Sequence, residues 1–195
     1  KRIEERHRSA SITGSAAVQL ADARHMPLAG GEVDAVITSP PYLNAIDYMR
    51  GHRLALVWLG YRTRDLRSIR AASIGAEAAE AQPTAIELPS FEMANGLRPA
   101  QMKIVDRYRS DILRLMIEIR RVVKPGGTVL VVVGNSNIAG VHVSNADINE
   151  NSARVVGFKL IERFDRELPA ASRYLPPPGV GSNKLGQRMR TETVL

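Results

Sequence analysis

The run from Thr128 to Val133, Thr-Val-Leu-Val-Val-Val, constrains this 195-residue chain more than any other segment. All six residues are apolar or β-branched, and no polar position alternates between them. A strand that shows water neither face belongs in a sheet covered by helices on both sides, which is how parallel sheets are built. The segment before it supplies such a helix. From about Pro99 to Val123, residues Ile104, Tyr108, Ile112, Leu115, Ile119 and Val122 recur every three or four positions, so one face is apolar. Proline suits the first turn, and Lys124-Pro125-Gly126-Gly127 ends the helix.

The same reading extends along the chain. Residues 1–10 resemble the end of a helix. Residues 17–21 are expected to form a short strand running into Asp22-Ala23-Arg24, with Pro27 and Gly30-Gly31 marking a loop. Val33 to Thr38 reads as a buried strand, and Pro40-Pro41 stops it because proline cannot donate to a ladder. An amphipathic helix is expected over 43–60, with Ile46, Met49, Leu54, Val57 and Trp58 on its apolar side; Trp58 and Tyr61 read as core. Residues 71–98, rich in Ala and Glu with Pro83 and Pro89, have no clean period, so about 43–98 is taken as an irregular insertion. Asn145 to Val156 is expected to be helical and Phe158 to Phe164 a strand. A Pro/Gly-rich loop follows around Tyr174 to Gly181. Thr191 to Leu195 is expected to be a last strand antiparallel to its predecessor. Strands alternating with helices and closed by a hairpin make an α/β layered fold in a single domain over 1–195. In such sheets ligands sit beyond the carboxyl ends of the strands, where Asp22, Ser39 and Gly134-Asn135 fall. Asn135 and Ser136 are polar groups within reach of such a ligand.

Charge and composition narrow the partners. The net charge of +7 and a pI near 10.1 favour a polyanion, because each neutralised phosphate releases a counterion. No segment is long and apolar enough to cross a membrane, and the charged first ten residues are not followed by an apolar run. Cysteine is absent, which removes disulfides and thiolate-held zinc and fits a reducing cytoplasm. The four histidines are scattered without helical pairing, so no metal site is expected.

The chemistry is concentrated in Ser39-Pro40-Pro41-Tyr42. It lies where a buried strand meets a loop at the ligand edge of the sheet. Two prolines fix two φ angles and remove two N–H donors, leaving a stiff backbone that presents acceptors. A hydroxyl and a flat aromatic face complete a site suited to a planar ligand bearing an NH₂ group.

The segment Asp34-Ala35-Val36-Ile37-Thr38-Ser39-Pro40-Pro41-Tyr42 resembles the catalytic motif of the DNA amino-methyltransferases, enzymes of the Rossmann-like S-adenosylmethionine-dependent class. Leu20-Ala21-Asp22-Ala23-Arg24 is similar to the family's strand and acidic residue near the cofactor adenine. Arg120 to Gly127 is similar to the helix-to-strand corner of the class. The resemblance implies a mostly parallel sheet with a C-terminal antiparallel hairpin. It implies catalysis by Ser39, Pro40, Pro41 and Tyr42, and cofactor binding by Asp22, Ala23 and Thr38. Serine in first position leans towards cytosine N4 over adenine N6.

The implied mechanism is direct transfer. The exocyclic amine is a poor nucleophile because its lone pair is delocalised into the ring. Ser39 and the Pro40 carbonyl would accept its N–H groups, Tyr42 would stack on the base, and alignment would supply much of the rate. The base must first leave the duplex. Arg50, His52 and Arg53, in a stretch that also holds Arg62, Arg64, Arg67 and Arg70, are candidates to grip phosphates.

The class also uses a glycine-rich loop after its first strand, and none is visible here after an early strand; the one Gly-x-Gly, Gly179-Val180-Gly181, lies in the late Pro/Gly-rich loop. If residues 1–10 end the helix before the Asp22 strand, the first two strands lie upstream of Lys1. The expected fold is then partial, completed by an upstream segment or a second polypeptide. Two alternatives stand beside DNA modification: an RNA amino-methyltransferase on the same fold, and a non-catalytic nucleic-acid-binding module derived from such an enzyme.

Overall fold

A computed structural model describes residues 14–43, 48–75, 87–89, 96–168 and 191–195. The helix end expected at 1–10, the loop at 174–181 and most of the insertion at 76–95 lie outside the described residues. Strand β1 is Val33–Thr38, helix α1 Tyr48–Trp58, α2 Thr63–Ala72 and α3 Pro99–Val122. Strand β2 is Val123–Val133, followed by the small hairpin β3 Ser136–Ile138 and β4 Val141–Val143. Helix α4 is Asn145–Val155, and β5 Phe164–Glu167 and β6 Thr191–Val194 complete the order.

Helix α3 forms where its period requires. Its first turn opens on Pro99, and the Gln101 side chain accepts the Arg98 N–H at 2.9 Å. Tyr108, Ile112, Leu115, Met116, Ile119 and Val122 are all buried against Val123 and Val131 of β2, with Val36 of β1 and Val129 partly buried beside them. At roughly 1.5–3 kcal/mol for each large apolar side chain removed from water, this face is what holds the helix on the sheet. Ser144 caps α4 by accepting the Asp147 N–H at 3.2 Å, and Ile148 and Ala146 close the core from that side.

The principal sheet runs β1-β2-β6-β5. β1 and β2 are parallel, pairing Ala35 with Thr128 and Ile37 with Leu130; β2–β6 and β5–β6 are antiparallel. The sheet is therefore α/β and mixed rather than mostly parallel, although the closing antiparallel hairpin is as expected. Between the Val33–Val123 and Ala35–Thr128 pairs the register shifts, because Lys124 to Gly127 loop outwards with Gly126 at φ 80°. The corner that ends the helix is thus enclosed within β2 rather than preceding it.

Further expectations need correction. Residues 17–21 make no strand: Val18 and Leu20 are fully exposed, and the local pairing is a single bridge between Asp22 and His25. A strand needs a neighbour, and among the described residues none lies there. The strand expected over 158–164 begins only at Phe164, because β6 meets it at the Val194–Phe164 pair and no described strand lies opposite 158–163. Trp58 and Tyr61 are not core. Trp58 is 90% exposed and Leu54 80%, so the apolar side of α1 faces outwards.

Nor do the described residues cover β2 on both faces. Val131 and Val133 are buried, whereas Leu130 is 36% and its neighbour Ile37 80% exposed on the other side of the sheet.

Candidate active site at the end of the first strand

The loop after β1 is fixed at both ends. On one side Thr38 is still paired with Val131. On the other, Leu43 is wholly buried against the face of α3 that carries Tyr108 and Ile112. Between them Pro40 is buried, Thr38, Pro41 and Tyr42 are half-buried, and Ser39 is exposed. With two prolines unable to donate, the exposed stretch offers the Ser39 hydroxyl and backbone carbonyls as acceptors.

Buried polar groups tie this loop to the end of β2. Ser136 Oγ donates to the Leu43 carbonyl. The Asn145 amide, wholly buried, donates from Nδ2 to Ser136 Oγ and to the Gly134 carbonyl, each at 2.8 Å. Asn149 donates in turn to the Asn145 carbonyl at 2.8 Å. Asn135 is used structurally: its Oδ1 accepts the Ala146 N–H at 3.3 Å, holding the first turn of α4. Burial pushes the Tyr108 phenol above its ordinary range, and the Asn149 amide beside it draws it partly back, so this hydroxyl stays neutral beneath the loop.

The two polar side chains of the motif meet. Ser39 Oγ lies 3.5 Å from the Tyr42 hydroxyl, which donates to Glu192 Oε1 at 2.9 Å. Glu192 stands on β6, and its other oxygen accepts from Arg166 of β5 at 2.6 and 3.0 Å. Neither Glu192 nor Arg166 is suggested by local sequence pattern, for they come from the far end of the chain.

Asp22 follows no strand but is well defined. Its carboxylate accepts the Arg24 backbone N–H at 2.9 Å and the Arg24 guanidinium at 3.0 and 2.8 Å. Hydrogen bonding to Arg24 holds the carboxyl below its ordinary value of 3.8, against some opposing burial. The group is therefore an anion at neutral pH. Oδ2 also takes Arg24 Nε at 3.3 Å, so Arg24 fills about four acceptor positions of the carboxylate, which is nevertheless 48% exposed to an approaching donor. Arg24 also reaches Asp111 of α3 at 2.5 Å and the Ala72 carbonyl, joining this turn to the body of the fold. Ala23 is exposed beside it.

The basic candidates stand on and between the two helices that come next in the chain. His52 and Arg53 are exposed on α1, and the side chain of Arg50 lies outside the described residues. Arg62, Arg64 and Arg67 are exposed on and before α2. Among the described residues, no cluster of three or more His, Asp or Glu could hold a metal ion, and no helix is long and apolar enough to cross a membrane.

No protein-family model matches the chain. Individual relatives do. A Type II methyltransferase of Geobacillus stearothermophilus, M.BsoBI, is 28% identical over 164 residues, covering 67% of this chain and 32% of its own length. M.AvaI, a Type II methyltransferase of Nostoc sp., is 27% identical over 152 residues, covering 65% of this chain and 31% of its own length. The M.AvaI of Anabaena variabilis matches to the same extent. The chain thus spans about a third of the length of these relatives. The resemblance carried by Ser39-Pro40-Pro41-Tyr42 is met by relatives that are methyltransferases.

Proposed function

We propose that this chain, a relative of Type II methyltransferases, is catalytic machinery for methylating an exocyclic amino group of a DNA base, with cytosine N4 favoured over adenine N6. The observation that carries the reading is the rigid, donor-poor loop at the carboxyl end of β1, with Ser39 exposed and the Tyr42 hydroxyl 3.5 Å from its Oγ. A Rossmann-like arrangement, of which the β1-β2-β6-β5 sheet is one part, is the fold this reading requires.

The residues fit S-adenosylmethionine at one point in particular. Asp22 is a half-exposed anion; the amino group of an adenine would take the place of its longest contact, Arg24 Nε at 3.3 Å, and Ala23 and Thr38 would border it. When bound, the cofactor supplies the methyl group. The chain's own part is to hold the acceptor. Ser39 Oγ and the Pro40 carbonyl take the N–H groups of the base amine, which localises the nitrogen lone pair. Tyr42 stacks on the extruded ring, an interaction worth about 1–3 kcal/mol. The proton is released to water. His52, Arg53 and Arg50 contribute phosphate contacts that would make binding fall with salt.

A completing segment, upstream or on a second polypeptide, belongs to the same proposal. It is supported by the apolar pair Ile37 and Leu130 on the side of the sheet that the described helices leave open. Such an enzyme works in the cytoplasm, where its DNA is.

The test is methyl transfer from labelled cofactor to duplex DNA, with structured RNA as the competing substrate. Transfer to DNA that falls at least about 100-fold in both Ser39→Ala and Tyr42→Ala is expected for groups acting in the transition state. Transfer to RNA alone would replace the DNA reading. Full activity in both variants would remove the catalytic assignment.

A further inference from the structure

Stacking on a base uses only the face of an aromatic ring, yet the hydroxyl of Tyr42 is committed to a specific partner across the sheet. Tyr42 follows β1, while Glu192 stands on β6, with β2 between them. Two strand spacings amount to about 9.5 Å, so the loop and the Tyr42 side chain together must cross the end of β2 to close the 2.9 Å bond, as the Leu43–Ser136 contact beside it also requires. The acceptor is itself well held. The Glu192 side chain is 12% exposed, and its cross-strand partner Arg166 takes the second carboxylate oxygen at 2.6 Å. The next residue, Thr193, donates to Asp165 at 2.6 Å, which fixes the strand on both sides of its pleat. The carboxylate therefore cannot swing away to follow a mobile ring; the ring must come to it.

We propose that Glu192 is a positioning residue for the catalytic loop, holding the Tyr42 ring in one orientation before a base arrives. This rests on the reading of Tyr42 as the residue that stacks on the base. A ring fixed in advance loses no rotamer freedom when the base docks, and it keeps the amine aligned with the Ser39 acceptors. Arg166 holds the carboxylate in place from the neighbouring strand.

The test uses the protein with duplex DNA and labelled S-adenosylmethionine, resolving kcat from the cofactor KM. Tyr42→Phe and Glu192→Ala are each expected to lower kcat roughly tenfold, as for one hydrogen bond to a charged acceptor, with the cofactor KM unchanged. The double variant should be no slower than either single one, and Glu192→Gln, which keeps an acceptor, should recover most of the rate. Tyr42→Phe at the wild-type rate, or losses that multiply in the double variant, overturn the proposal. If the wild-type protein transfers no methyl group, the functional reading has failed separately. The contact is then judged by NMR of ring-labelled tyrosine, with Tyr42 assigned through Tyr42→Phe. A ring that flips slowly in the wild type and faster in Glu192→Ala supports the contact; equal flipping in both overturns it.

Discussion

Asp111 lies between two buried guanidinium groups, and replacing it with asparagine isolates the value of its charge. Its side chain is 6% exposed; those of Arg24 and Arg107 are 9% and 7%. Asp111 Oδ1 meets Arg24 at 2.5 Å, and Oδ2 lies 4.0 Å from Arg107 Nε while accepting the Gly75 N–H at 3.2 Å. Burial pushes the Arg107 guanidinium below its ordinary value, and the Asp111 carboxylate pulls it back. Asparagine preserves the shape and one acceptor but leaves two cations facing each other out of water. Breaking a buried pair from one side costs roughly 3–5 kcal/mol. Arg24 keeps its second carboxylate, Asp22, so the lower end, about 3 kcal/mol, applies here. For a chain of this size that lowers the Tm by roughly 6–12 °C. The urea midpoint should fall by about 1–1.5 M at an m-value of roughly 2–3 kcal/mol/M. The control is Asp106→Asn on the same helix, where a 2.7 Å pair with Arg109 involves a carboxylate 46% exposed. Its loss should stay within about 0.5 kcal/mol. Circular dichroism on both variants decides the matter. If Asp111→Asn costs no more than Asp106→Asn, the cluster is screened by solvent and the argument from burial is wrong.

Two further outcomes follow from other parts of the fold. Glu118 accepts from Arg121 at 2.6 and 2.8 Å and from the Met26 N–H at 2.6 Å, and these bonds, Arg121 first, hold its carboxyl below the ordinary 4.5. A depressed carboxylate contributes stability that is fully present above pH 4.5 and is lost as pH falls through its lower folded value; Glu118→Gln should be less stable at neutral pH and lose less on acidification, read from urea midpoints across pH 3–7. A Cβ on Gly127 would lie 2.6 Å from Val123 Cγ1 and 2.7 Å from the Asp34 carbonyl, so Gly127→Ala must displace the β1 backbone. A loss of about 1–3 kcal/mol is expected, with faster amide exchange at Ala35 to Ile37; unchanged exchange would show that the strands yield freely.

What could be read from the sequence was what local periodicity encodes. Helix α3, the strands β1 and β6 and the helix after Ser144 all carry their own patterns, and the Ser39 to Tyr42 loop is a local motif with a local stiffness. Pattern alone says that a face is apolar, not that anything covers it. That is why Trp58 and Leu54 lie in solvent on a helix whose period is sound. Strand formation depends on partners: residues 17–21 have β character and no neighbour among the described residues, and the onset of β5 is set by where β6 reaches it. The site divides in the same way. The Asp22–Arg24 contact spans two residues and is inherent in an Asp-x-Arg turn, whereas Glu192 lies 150 residues from the tyrosine it holds.

The exposed pair Ile37 and Leu130 has a consequence for how the chain behaves at concentration. β1 stands first in its sheet, with its second edge unpaired among the described residues and an apolar side chain standing beside that edge. Unpaired backbone next to apolar surface is a template for any other strand, including the same strand of another molecule. The segment that presents the Ser39 to Tyr42 loop is therefore also where self-association would begin, and whatever covers that edge acts as its chaperone.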